Sequence, residues 1–383
     1  MIKKFIDITY CRAKYLLVLH LFLQDFSVSA QQLVDRQATP ATVQLYKSLF
    51  QIQKQGVVFG HQDALAYGVG WKGLNNTSDV KLVTGEHPGL LGLDIGDLEL
   101  KKEKNLDGVP FQSMRNHILS TFQRGGMVTI SWHARNPLTA GNTWDTTHGT
   151  VAAILPGGSK HQLYISWLDQ AAQFFQSLKT ASGTPIPILF RPYHELTGNW
   201  FWWCKNTCTS DEFKSLWKFT VEYFRDVKGI HQLIYVFNTA DFSSPTNFLE
   251  RYPGDEWVDV LSFDRYQYEG AEGRNVFFSV MDRQLEILGA IGQEKAKPIA
   301  LAETGYETIP DSNWWTTTLY PLLRKTPLAY VLVWRNHGFM KSANKYHYYA
   351  PYPGHPSNND FNRFCRLPDI FLERRLSSFK IYR

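Results

Sequence analysis

Eight short, continuously apolar runs punctuate this chain, and longer segments of helical pattern separate them. The runs are Gly56–Gly60, Leu90–Leu93, Met127–Trp132, Pro187–Arg191, Leu233–Phe237, Val258–Phe263, Ile299–Glu303 and Tyr330–Trp334. A strand with one wet face alternates apolar and polar residues. These runs do not alternate, so they read as parallel strands covered on both faces by helices. Among the intervening segments, Asp211–Val227 places Phe213, Leu216, Trp217 and Phe224 near one helical face. Thr209 or Ser210 can cap its start, ahead of the acidic pair Asp211 and Glu212. Residues 161–179 and 278–290 are patterned the same way, and no linker, repeat or low-complexity tract breaks residues 40–375. The alternation predicts the α/β class and a single (β/α)8 TIM barrel with enlarged βα loops over residues 31–383; a doubly wound open sheet is the second reading.

The downstream ends of the runs carry chemistry. His61 and Gln62 follow the first, Asp94 and Asp97 the second, and His133 the third. His194 and Glu195 follow the fourth, Asn238 the fifth, Asp264 and Tyr266 the sixth. Glu303 ends the seventh, and Trp334, Arg335 and Asn336 end the eighth. All strand C-termini of a parallel barrel open on one face, so these groups are expected to converge on one cleft.

Residues 1–30 read as a secretory signal peptide. Lys3, Lys4, Arg12 and Lys14 precede the apolar run Leu16–Leu23, and Val28-Ser29-Ala30 supplies the small residues of a cleavage site. The run is too short to span a bilayer, and no other stretch approaches that length. A secreted or periplasmic protein follows, expected as a monomer. Losing the leader would lower the net charge from +5 to +3, with no basic stripe, which disfavours nucleic acid as a partner. Aromatic residues make up 15% of the chain, including 12 Trp. Sugar rings stack their apolar faces on such surfaces, although large cores use aromatics too.

Three cysteines lie beyond the leader, and in an oxidising compartment Cys204 and Cys208 form the natural local disulfide, leaving Cys365 unpaired. The neighbourhood lacks further ligands for a metal.

Phe190–Trp203 is the most informative segment: Glu195 ends an apolar run, and Trp200, Phe201, Trp202 and Trp203 follow at once. Burial against rings should raise a carboxyl pKa, as a general acid requires. Ala300–Gly305 offers a second carboxylate, Glu303, at an equivalent strand end. Two carboxylates across a glycosidic bond are the equipment for hydrolysing it. The competing reading makes both structural ion-pair partners, with Arg191 the obvious cation.

His194–Trp203 resembles the acid/base motif of glycoside hydrolase family 26, the β-mannanase family. Similar agreement appears at Phe59–Gln62, Ser131–His133, Ile154–Gly158, Val258–Tyr266, Glu303–Gly305 and Trp334-Arg335, in order along nearly the whole mature chain. The resemblance implies a (β/α)8 fold, retention of anomeric configuration, and no metal or organic cofactor. By the same resemblance Glu195 is the acid/base and Glu303 the nucleophile oriented by Tyr266. His133 and His194 flank the cleaved sugar, Trp200 and Trp334 are its stacking walls, and Arg335 is a more distal contact. Each histidine could instead be a satisfied buried imidazole, and Trp202 and Trp203 read as core. Asp264 either touches sugar hydroxyls or braces Arg265. The expected activity is endo-β-1,4-mannan hydrolysis; the alternatives are cleavage of mixed-linkage β-glucan or β-1,3-xylan, and a catalytically silent sugar-binding protein.

Overall fold

Each of the eight runs forms a strand: β1 (Val57–Gln62), β2 (Leu90–Asp94), β3 (Met127–Trp132), β4 (Ile188–Pro192), β5 (Leu233–Thr239), β6 (Val260–Gln267), β7 (Ile299–Tyr306) and β8 (Tyr330–Val333). Successive strands pair in parallel, and β8 returns to β1 from Val58↔Tyr330 to His61↔Val333, which closes the barrel and excludes the open sheet. β1 meets β2 only from Gly60 onward, and a short strand at Ile370–Phe371 pairs with the lower edge of β1 at Val57 and Val58. The computed structural model describes residues 32–383, except residue 269 and the side chains of residues 269–272. The expected leader lies outside the described residues.

The pleat divides each buried strand between two cores. Leu91, Leu93, Val128, Ile130, Phe190, Tyr235 and Phe237 point outward to the helices. Leu90, Met127, Leu189, Ile234, Val236, Val260 and Ala300 point into the lumen, where α1 (Pro40–Gln53) adds Leu45, Leu49 and Ile52 to the same core. Truncating one of these fully buried leucines to alanine should cost about 2–5 kcal/mol. Both faces are therefore dry, which is why the strands read as unbroken apolar runs.

Around the strands lie α2 (Phe111–Gln123), α3 (His161–Ser177), α4 (Ser210–Glu222) and α5 (Gly270–Glu294). Thr209, rather than Ser210, caps α4 through a capping box with Glu212, and a π-turn at Tyr223–Val227 extends the helix. The loops beyond the strand C-termini are enlarged. One holds the hairpin of Tyr67–Gly68 and Trp71–Lys72, and another a short helix at Thr150–Ile154. A third holds the hairpin of Gly338–Met340 and Lys345–His347. Among the described residues no helix is long and apolar enough to cross a membrane.

Candidate active site

Strict alternation along β7, with Ala300 and Ala302 facing the lumen, would send the next side chain toward the helices. The ladder slips instead. Phe263 pairs with Leu301 but Asp264 with Glu303, and on the other side Val331 pairs with Leu301 but Val333 with Thr304. The extra residue in β7 is a bulge that turns Glu303 into the barrel mouth. There Glu303 Oε2 accepts the Tyr266 hydroxyl at 2.7 Å, and Oε1 accepts Arg191 Nη2.

Arg191, on β4, spans two carboxylates. Its Nη1 donates to Asp264 Oδ2 at 2.8 Å, and Asp264 Oδ1 accepts Asn238 Nδ2 at 2.8 Å. Asp264 is buried and does not brace Arg265, which pairs with Asp241 at 2.7 Å. Burial pushes the Asp264 carboxyl well above its usual range against the pull of Arg191, and the charge of Glu303 adds to the rise. Asn238 also accepts the Glu195 backbone N–H at 2.8 Å. It thus ties this floor to the loop above.

That loop leaves β4 at Pro192 and bends through two left-handed residues, Tyr193 (φ 51°) and Glu195 (φ 55°). Neither is glycine, and such strain costs about 1–3 kcal/mol per residue and gathers at functional sites. The bend aims Glu195 at the mouth, where its Oε2 accepts the Trp200 indole N–H at 2.6 Å. Burial and then the charge of Glu303 raise the Glu195 carboxyl to about 7, with the Trp200 hydrogen bond opposing. Carboxylate oxygens of Glu195, Asp264 and Glu303 lie within 4.8 Å of one another. Three acids so close could attract a cation; the guanidinium of Arg191, bonded to two of them, supplies positive charge from the chain itself. The remaining arrangement is an acid protonated near neutrality facing a carboxylate held by Arg191 and Tyr266. Retaining glycosidases hold their carboxyl groups about 5–5.5 Å apart and inverting ones about 6.5–9.5 Å, and oxygens within 4.8 Å of one another suit the closer of these two arrangements.

The two histidines meet beside the acids. His133 Nδ1 lies 2.7 Å from Asp94 Oδ2, and its Nε2 is 3.2 Å from His194 Nε2. Burial opposes protonation of His133, but Asp94 prevails and raises it, whereas burial and then His133 lower His194 well below the ordinary value. His133 is thus a partnered imidazole. His194 keeps a buried Nδ1 with no partner among the described residues. Trp334 is partly buried with its ring 6.4 Å from His133. Arg335 lies apart from the acid pair, bonded to Asp107 and 3.4 Å from the Tyr67 hydroxyl, which in turn donates to Asp63. Trp202 and Trp203 are wholly buried and donate to the carbonyls of Ala134 and His194, as a core role requires.

Asp94 and Asn238 lie here as expected from their places after the second and fifth runs. Two contributors escaped the sequence reading. Trp144 stacks on His133 at 5.5 Å and 26° while half exposed, from a loop with no apolar run to mark it. Tyr268, just beyond β6, is 71% exposed and borders a cavity of about 370 Å³ with Glu195, Trp200 and Tyr266.

The expected Cys204–Cys208 disulfide is not formed; Cys204, Cys208 and Cys365 are all free. The turn aims the two sulfurs at backbone instead. Cys204 Sγ donates to the Glu195 carbonyl at 3.4 Å and Cys208 Sγ to the Trp203 carbonyl at 3.5 Å. Arg251 Nη1 approaches the Cys208 sulfur at 3.4 Å.

Comparison with known proteins places this geometry. Residues 34–299 match the model of glycosyl hydrolase family 26. A β-mannanase structure of that family from Bacteroides ovatus is 45% identical, with 90% of this chain and 98% of that chain covered and a TM-score of 0.86. The catalytic domain of an endo-β-1,4-mannanase from a Bacillus species is 30% identical, over 92% of this chain and 96% of that one, with a TM-score of 0.82. A mannan endo-1,4-β-mannosidase of Bifidobacterium adolescentis is 29% identical over 349 residues, 86% of this chain but 34% of that protein. The chain therefore spans about a third of that relative's length. With a family match over more than half of the chain and a 45% identical structure covering 90% of it, the chain belongs to glycosyl hydrolase family 26.

Proposed function

We propose that the chain is a retaining endo-β-1,4-mannanase acting on galactomannan, glucomannan or manno-oligosaccharides, with Glu195 as acid/base and Glu303 as nucleophile. The observation behind this reading is that the two carboxylates face each other within 4.8 Å in opposed settings. One is pushed up to about 7, and the other is held by a guanidinium and a phenol. In the first step Glu303 attacks the anomeric carbon while Glu195 gives its proton to the departing glycosidic oxygen. In the second, Glu195 takes a proton from water, whose oxygen displaces Glu303. Mannan as substrate draws support from the names of the relatives, a β-mannanase and a mannan endo-1,4-β-mannosidase. Cleavage of the leader after Ala30 and release as a secreted or periplasmic monomer complete the proposal.

The test is hydrolysis of galactomannan, glucomannan, lichenan and β-1,3-xylan by wild type and Glu303→Ala, with product sizes recorded. Internal cleavage of the mannans, lost by several orders of magnitude in the variant, is expected. Equal activity of the two proteins ends the nucleophile assignment, and preference for lichenan or xylan replaces the substrate.

A further inference from the structure

A second cavity, of about 530 Å³, lies on the flank of the barrel between α2 and the residues that follow β1, and shares no lining residue with the cleft at Glu195. Ser113, Asn116, His117 and Ser120 face it at three- and four-residue spacing along α2, while Phe111, Met114 and Ile118 take the buried side of that helix. Lys72 and Asn76 form the opposite wall, Lys104 enters from the loop before α2, and Arg124 lies just past the end of the helix.

The lining is basic, and no carboxylate belongs to it. Exposed lysines are usually solvated surface, and elsewhere here several rest on acids: Lys102 on Asp97, Lys228 on Asp169, Lys345 on Glu307. Lys72 and Lys104 come from different loops to the same cavity, and among the described residues neither has an acidic partner. Arg124 gives only Nε to Glu373, at 2.8 and 2.9 Å, leaving both Nη groups without a protein acceptor among the described residues. The His117 imidazole has no hydrogen-bond partner there either, and burial followed by the charge of Arg124 lowers it to about 4. His87, held by Ser78 and Asn76, is lowered to about 3 by burial, Arg124 and Lys81, a second sign of positive potential. No Phe, Tyr or Trp lines the cavity, so a neutral sugar finds no broad apolar ring to stack on. Ammonium, guanidinium, hydroxyl and amide donors suit an oxyanion.

We propose that this cavity binds a compact oxyanion, the carboxylate of a uronic acid or a phosphate, independently of the catalytic cleft. Its volume suits a monosaccharide-sized ligand. The test is calorimetric titration of the wild-type protein at low salt with inorganic phosphate, sodium glucuronate and glucose. The Lys72→Glu/Lys104→Glu double variant is titrated alongside, and the His117 imidazole is followed by NMR. Binding of at least one anion but not glucose is expected, weakened about 10-fold or more in the double variant. Mannan cleavage should stay unchanged, and the His117 pKa should rise by about one unit on binding. Phosphate binding alone identifies a free oxyanion as the ligand, and glucuronate binding alone an acidic sugar. Absence of binding at about 10 mM, equal affinity in the variant, or a stationary His117 pKa overturns the proposal.

Discussion

Trp200 donates its indole N–H to Glu195 Oε2 at 2.6 Å, while a Glu303 oxygen stands within 4.8 Å of the same carboxyl group. One exposed aromatic residue is thus both a wall of the cleft and a counterweight to burial in setting when Glu195 ionises. A hydrogen bond to the charged form favours that form. Trp200→Phe keeps a ring but removes the donor, so the Glu195 pKa should rise above about 7. The basic limb of kcat/KM against pH, which reports loss of the proton from the acid, should move upward by about half a unit to one unit. A limb that stays put or moves down removes Trp200 from the pKa argument.

The raised Glu195 carboxyl also has a stability consequence. Its folded pKa of about 7 lies above the 4.5 of an ordinary glutamate. The folded state therefore binds the proton more tightly, and that contribution, complete below about pH 4.5, is lost as pH rises through 7. Glu195→Gln cannot ionise. Its melting temperature should exceed that of wild type at pH 8, by up to about 2 kcal/mol of stability, and the gap should close toward pH 5. Parallel melting curves across that range would contradict the burial argument.

Removing one partner of a buried ion pair strands the other. Asp264→Ala would leave Arg191 facing Glu303 alone and free the Asn238 amide that also positions Glu195. A loss of about 3–5 kcal/mol in urea unfolding is expected, along with a fall in kcat. Arg265→Ala breaks a pair whose acid, Asp241, is 70% exposed, and should cost no more than about 1 kcal/mol. Comparable losses in the two variants would remove the distinction between the buried pair and the surface pair.

Free thiols can be counted. A protein that begins at Gln31, unfolded without reductant, should react at Cys204, Cys208 and Cys365, three thiols in all. The wild-type protein should melt at the same temperature with and without reductant, because no disulfide constrains its unfolded state. A single reactive thiol would restore the disulfide.

The pieces that were legible before folding are those governed by local pattern. Unbroken apolar character in β1 to β8 announces strands dry on both faces. The acidic first turn behind Thr209 announces a helix start, although the choice of Thr209 over Ser210 as cap waited on the capping box. The strand ends announced which residues share a mouth, Glu195 and Glu303 among them. Trp144 and Tyr268 stayed hidden because loop aromatics have no period to betray them.

Continuity of apolar runs, and the order of polar residues after them, determined a helix-covered parallel sheet and the face on which chemistry collects, because the hydrophobic effect acts on every strand by itself. Closure into a barrel was decided by the pairing of β8 with β1. The aim of individual side chains was decided elsewhere. Only the slip of β7 against both neighbours turns Glu303 inward, and only the left-handed backbone at Tyr193 and Glu195 presents the facing acid. Arg191 meets Glu303 across 112 residues of sequence. Register and long-range ion pairing depend on what the neighbouring strands do, and no local period encodes that.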